Sequence, residues 1–287
     1  MTDVHAVPGT DHVVDGVRLH VVVHGHADSG RVPVLLLHPL PATSYLWRDV
    51  QRDLASRIMT VAPDLAGCGR SERAPGRLDP ARQARLLRDL LDVLEVERVV
   101  VAGHGVGGAV GVHLATVAPD RVAGLVLMSA PVHRDVWPPA TALPLLLPGV
   151  RALAPEMLRV VPGLARALVG RAFGTDSSDA TAPEQREVEA YLAPLRTPEG
   201  ARGLRDVVAA VDMVGVEAAW DVLRAAPPPA LVLWGEDDST YRLPYGRRLV
   251  GELPGAAFVP VPGAGHLLPR ERPERVAEEL AAFVAER

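Results

Sequence analysis

Along the chain, short unbroken apolar runs alternate with longer stretches in which apolar positions recur every three or four residues. The runs at 32–37, 58–62, 98–102, 122–128, 230–234 and 256–261 are dominated by Val, Leu and Ala. Continuous hydrophobicity is what a strand needs when both its faces are covered, so these six runs predict strands buried on both faces. Ahead of them, residues 12–24 place Asp15-Gly16 between two β-branched runs. Glycine accepts the positive φ of a tight turn, so an antiparallel hairpin opens the chain. Between the strands, residues 80–94 predict a helix: Leu86, Leu87, Leu90, Leu91 and Leu94 gather on one side, with Arg82, Arg85, Arg88, Asp89 and Asp92 mostly opposite. Residues 109–117 predict a second. Strand and helix alternate, which makes an α/β chain with a mostly parallel sheet.

From Pro131 to about Val216 the rhythm breaks. No good strand occurs there, but proline-delimited apolar helices do, at 152–161 and 163–173, and the segment reads as a helical cap inserted into the sheet domain. The organisation is then 1–130 for the first part of the core, 131–216 for the cap and 217–287 for the second part. The run Ala225-Ala226-Pro227-Pro228-Pro229 returns the chain to the sheet.

Composition narrows the function. A chain of 287 residues, 48% hydrophobic and 23% charged, buries one large core. A formal charge of −5 without a basic stripe excludes a nucleic-acid footprint. A single cysteine, Cys68, excludes an intrachain disulfide framework and a cysteine-cluster zinc site, and fits a reducing cytoplasm. The first residues lack the pattern of a secretory signal. The greasiest stretch, 140–150, is broken by Pro144 and Pro148, far short of the ~18 apolar residues of a membrane helix. The expectation is a cytoplasmic monomer or homodimer with no membrane association and no nucleic-acid partner.

The chemistry gathers in three places. Strand 98–102 runs into Gly103-His104-Gly105-Val106-Gly107-Gly108 and then a helix, the small-residue turn that holds a central side chain at the C-terminal edge of a sheet. Its centre is Gly105. After strand 230–234, Gly235-Glu236-Asp237-Asp238 puts an acid at a strand end, and after the last strand Pro262-Gly263-Ala264-Gly265-His266 supplies a histidine. The order is elbow, acid, histidine.

With these segments, with His38-Pro39-Leu40-Pro41 followed by Trp47, and with Ala62-Pro63-Asp64-Leu65-Ala66-Gly67-Cys68-Gly69-Arg70-Ser71, nearly the whole chain resembles the α/β-hydrolase superfamily, in particular its epoxide hydrolase/haloalkane dehalogenase-like branch. The resemblance implies an eight-stranded, mostly parallel sheet flanked by helices, with an inserted helical cap. It implies His266 and Asp238 as a catalytic pair, and backbone N–H groups of Leu40 and Val106 as an oxyanion hole. His38, Trp47, Trp137 and Tyr191 fall at the substrate side, His38 also as a brace of the oxyanion loop and Tyr191 as a cap tyrosine. Two positions depart from the family. Gly105 stands where it carries Ser, Cys or Asp, and glycine has nothing to attack with. Pro39 stands in the place of the glycine of H-G-x-P.

The reading is therefore an enzyme without cofactor or metal, in which His266 acts as a general base on a group occupying the vacated nucleophile position. Its substrate is a hydrophobic small molecule, and the reaction is water-mediated hydrolysis, elimination or cyclisation, as in secondary-metabolite tailoring. The alternatives are a non-catalytic ligand- or partner-binding relative, and a Ser or Asp hydrolase in which Gly105 was engineered. Blander roles are assigned elsewhere: His104 packs beside the elbow, Cys68 and Ser71 are loop residues, and His20, His24 and His26 form a solvated edge rather than a metal site.

Overall fold

The computed structural model describes residues 8–26, 30–139 and 185–287. Its centre is an eight-stranded sheet built from β1 (Thr10–Val14), β2 (Val17–His24), β3 (Val34–Leu37), β4 (Thr60–Pro63), β5 (Val99–His104), β6 (Val122–Met128), β7 (Ala230–Gly235) and β8 (Ala257–Val261), in the order β1-β2-β4-β3-β5-β6-β7-β8. β2 pairs antiparallel with both β1 and β4, and all remaining pairs are parallel. The predicted strands are present within a residue or two of their ends. At the hairpin, Asp15 and Gly16 both have positive φ, 49° and 73°, the pair of left-handed residues that matches the strand twist.

The apolar runs are continuous because the sheet is covered twice. Leu35, Leu37, Val99, Val101, Leu125 and Leu127 face one layer, made by α2 (Pro80–Val93), α3 (Val106–Val117) and α6 (Met213–Ala225). Val34, Leu36, Val100, Ala102, Val126 and Met128 face the other, made by α1 (Arg48–Leu54) and α9 (Pro273–Ala285). Successive residues of a strand point to opposite faces, so each strand feeds both cores. α2 starts as its sequence predicts, with Pro80 in the first turn and the Asp79 side chain accepting the Arg82 N–H at 2.8 Å.

Two further helices, α4 (Gln185–Leu195) and α5 (Pro198–Ala210), precede α6. α6 packs on α3, in the helical layer of the sheet domain. The predicted helices at 152–161 and 163–173, and the greasy stretch 140–150, lie outside the described residues. At the far edge, α7 (Leu243–Glu252) covers β7 and β8, and a short α8 (Leu268–Glu271) leads into α9.

Two expectations change. α3 begins at Val106, three residues earlier than the apolar pattern implies. Gly107 and Gly108 are helical residues kept small by contact: a Cβ on Gly107 would lie 2.4 Å from the Leu37 carbonyl oxygen, and one on Gly108 2.3 Å from Ala130 Cβ. His20 is no solvated edge residue. It is 3% exposed, with its ring Nδ1 2.9 Å from an Asp11 carboxylate oxygen. No metal-binding cluster of His, Cys, Asp or Glu occurs among the described residues.

Candidate active site

The parallel strands end together, and the loops leaving β3, β5, β6, β7 and β8 carry the site. β5 passes through Gly105, with φ 55° and ψ −126°, directly into α3. This is the sharp strand-to-helix turn anticipated from the glycines, and Gly105 N–H is anchored to the Met128 carbonyl of β6 at 2.9 Å.

The acid and the histidine are brought together. His266 Nδ1 lies 3.2 Å from Asp238 Oδ2. An ionised carboxylate only accepts, so Nδ1 carries the proton and Nε2 presents its lone pair. The His266 side chain is 13% exposed and that of Asp238 0%. Asp238 has three other donors: the Ser129 hydroxyl on Oδ2 at 2.7 Å, and the Thr240 and Tyr241 N–H groups on Oδ1 at 2.8 and 2.9 Å. Burial by itself pushes the Asp238 pKa up. The charge and hydrogen bond of His266, with those from Ser129 and Tyr241, more than reverse it and hold the carboxyl below its usual range.

The histidine loop is fixed on every side. Glu271 accepts the Gly265 N–H through one oxygen at 2.5 Å and the Leu267 N–H through the other at 3.0 Å, clasping the backbone on both flanks of His266. The acid turn is stitched to the same loop by Asp237 N–H donating to Ala264 O at 2.9 Å. Gly235 permits this approach, because a Cβ there would lie 2.3 Å from the Gly265 carbonyl. His104, fully buried, donates from Nε2 to the His266 carbonyl at 2.6 Å and meets its ring edge to face at 5.1 Å. Burial, with the neighbouring His266, drives the His104 pKa down to about 3, so this second ring stays neutral. Tyr241 flanks the other ring contact at 5.6 Å.

On the opposite bank stands the loop after β3. His38 accepts the Leu65 N–H on Nε2 at 2.9 Å, which leaves Nδ1 to donate to the Pro39 carbonyl at 3.0 Å. Burial lowers its pKa, and the ring is a neutral strut between two loops. Neither the Leu40 nor the Val106 N–H has an acceptor among the described residues. The second strut is Asp64, whose carboxylate accepts Ser44 N–H at 2.7 Å and Arg70 N–H at 2.8 Å, and whose carbonyl accepts the Ser71 hydroxyl. Cys68 lies buried in this turn, and burial raises its thiol pKa far above the range of a working nucleophile.

The remaining expected residues are placed as follows. Trp47 is wholly buried at the end of the Ser44–Trp47 turn. Tyr191, on α4, is 1% exposed and packs edge to face on Tyr45 at 5.5 Å, with burial raising its pKa. Trp137 is half-buried against the α3 side of the core. His266, Asp238, His104 and Ser129 form one hydrogen-bonded cluster, whereas Trp47 and Tyr191 belong to one hydrophobic core and Trp137 packs against the other.

Ser129 and Glu271 are the residues that sequence reading missed. Ser129 follows β6 with φ 46°, a conformation uncommon outside glycine, and nothing in its local sequence marks it. Glu271 sits five residues past His266 in an ordinary polar stretch.

A family model described as the alpha/beta hydrolase family matches residues 34–279. An uncharacterized protein of Mycobacterium tuberculosis is 31% identical over 272 residues, which span 91% of this chain and 79% of that protein. Haloalkane dehalogenase 2 of the same organism is 29% identical over 278 residues, 92% of this chain and 90% of the relative. Among solved structures, the haloalkane dehalogenase DbeA of Bradyrhizobium elkani superposes with a TM-score of 0.81 at 25% identity, covering 96% of this chain and 97% of its own.

Proposed function

Starting from a chain that belongs to the alpha/beta hydrolase family, we propose a hydrolase-type enzyme in which His266, aligned by Asp238, takes a proton directly from water or from the substrate. No bond forms between substrate and residue 105. The observation that carries this reading is the asymmetry of the site. On one side a buried, fully hydrogen-bonded carboxylate holds an imidazole whose Nε2 has no partner among the described residues. On the other, the turn that would present a nucleophile has a glycine at its centre.

In this reading the Nε2 lone pair removes the proton while the N–H groups of Leu40 and Val106 meet the oxygen on which negative charge grows. Such donors are worth about 2.7–4 kcal/mol each when they face the developing oxyanion. The base contributes ~10²–10⁴-fold. The substrate is a small apolar molecule with an electrophilic centre, a class to which the dehalogenase relatives point by name. With water as the proton donor the outcome is hydrolysis; with a substrate hydroxyl or acidic carbon it is cyclisation or elimination.

The test is a panel of apolar esters, haloalkanes and epoxides, followed by one turnover of any substrate found in ¹⁸O-labelled water. A hydrolysis product takes its oxygen from solvent in that first turnover and a cyclisation or elimination product takes none, intact-protein mass spectrometry shows no adduct, and His266→Ala lowers kcat by about 10²–10⁴-fold. An adduct on the chain, or undiminished turnover by His266→Ala, overturns the reading. Tight binding of a panel member with no turnover would instead identify a non-catalytic relative.

A further inference from the structure

The space at position 105 is not simply vacated. A Cβ built on Gly105 would lie 2.8 Å from Pro39 Cβ and 3.5 Å from Pro39 Cα, and carbon contacts under 3.0 Å are essentially absent from proteins. Neither neighbour can yield easily. The pyrrolidine ring is closed on its own backbone, so it has no rotamer that swings away. The Pro39 carbonyl is held by His38, and His38 is held by Leu65. The elbow cannot retreat either, because Gly107 already brings α3 against the Leu37 and His38 carbonyls, where a Cβ would sit at 2.4 and 2.7 Å.

We propose that Pro39 and Gly105 are a matched pair in which the prolyl ring closes the nucleophile position, and that the scaffold carries a latent covalent ester hydrolase activity which appears only when both residues are replaced. The activity rests on the reading of His266 as a working base; the pairing does not. With Gly at 39 and a serine introduced at 105, the new hydroxyl attacks the ester carbonyl and passes its proton to His266 Nε2. The C–O bond to the leaving alcohol breaks, with His266 returning the proton to that alcohol. Water then attacks the acyl carbon, gives a proton to His266, and the acid departs as the proton returns to the hydroxyl.

Two measurements test the proposal. In thermal unfolding, Gly105→Ala lowers the midpoint by roughly 3–10 °C, through the positive φ of 55° at this position as well as the contact with Pro39. Pro39→Gly added to Gly105→Ala raises it again, although Pro39→Gly alone lowers it by loosening the loop. Additive shifts would overturn the pairing. With p-nitrophenyl butyrate, Pro39→Gly/Gly105→Ser releases a burst of one p-nitrophenol per site, gains the mass of one butyryl group, and turns over at least about 100-fold faster than Gly105→Ser. Equal rates for single and double variants overturn the pairing, and a folded but silent double variant overturns the latent activity. If His266→Ala in the double variant leaves the rate unchanged, the assignment of His266 fails while the pairing stands.

Discussion

Replacing Asp238 by asparagine probes the site with almost no change in shape. The four donors around the carboxylate decide how the amide must sit. Oδ1 takes two backbone N–H groups, from Thr240 and Tyr241. Turning the amide nitrogen toward them would set donor against donor twice, at about 1–3 kcal/mol each. The nitrogen therefore takes the Oδ2 place, where the Ser129 hydroxyl can rotate to accept from it. His266 Nδ1 faces the same place, and it too must become an acceptor. Its proton moves to Nε2, and the base is lost without displacement of the ring. In the Ser-His-Asp template this tautomer error costs ~10⁴-fold in kcat, roughly 5.5 kcal/mol of barrier. The tautomer is read by ¹⁵N NMR without any substrate: Nδ1 is pyrrole-type and Nε2 pyridine-type in the native protein, and Asp238→Asn exchanges them. A variant that keeps its proton on Nδ1 refutes the reasoning. A second readout is stability against pH. The Asp238 pKa is lowered on folding from 3.8. Its ionised form therefore stabilises the fold above about pH 3.8, and that contribution is lost as pH falls through the lower folded value. Denaturant midpoints of the native protein carry this acid loss, and those of Asp238→Asn lack it.

Glu271→Gln leaves one acceptor oxygen for the two N–H groups beside His266; an orphaned N–H costs about 1–3 kcal/mol in chemical denaturation, and kcat per folded molecule falls with KM little changed, whereas a loss of rate that only tracks the unfolded fraction would refute a role for Glu271 in placing His266. Cys68, buried and with a raised thiol pKa, does not react with a disulfide reagent in the native protein, and one thiol per chain appears on unfolding. Rapid native labelling would show the Asp64–Ser71 turn to be open.

How far this site can be read from residues alone depends on the range of the interaction. The interior parallel strands are legible because burial on both faces writes itself into each run, as at Val34–Leu37, where alternate residues enter different cores; the exposed edge strand β1 is legible from the Asp15-Gly16 turn instead. Asp238 and His266 are legible because each closes a strand in a glycine-rich turn. The start of α3 is not, because Gly107 reads as flexibility and is in fact a contact with Leu37. Ser129 and Glu271 are invisible for another reason: their partners lie on loops that only the sheet order brings beside them. His20 misleads in the same way, since alternation along β2 places it at an edge while Asp11, paired with it across the hairpin, covers it.

Gly105 and Pro39 look like separate departures in the sequence and act as one in the fold. A Ser or Asp hydrolase changed only at position 105 would need a residue at 39 that leaves room for the nucleophile's Cβ, and Pro39 leaves none. The contact therefore weighs against a lone engineered glycine. It weighs less on the histidine side, where nothing has been dismantled. Asp238 is a carboxylate with no exposed side chain, and such a group is costly to bury unless its partners compensate. Four donors do so here, one of them an imidazole whose other nitrogen has no partner among the described residues. A fold that only bound a ligand would gain nothing from keeping a desolvated anion to orient that ring. The proposed proton transfer without a covalent intermediate rests on this acid–histidine pair, kept intact beside the glycine at position 105.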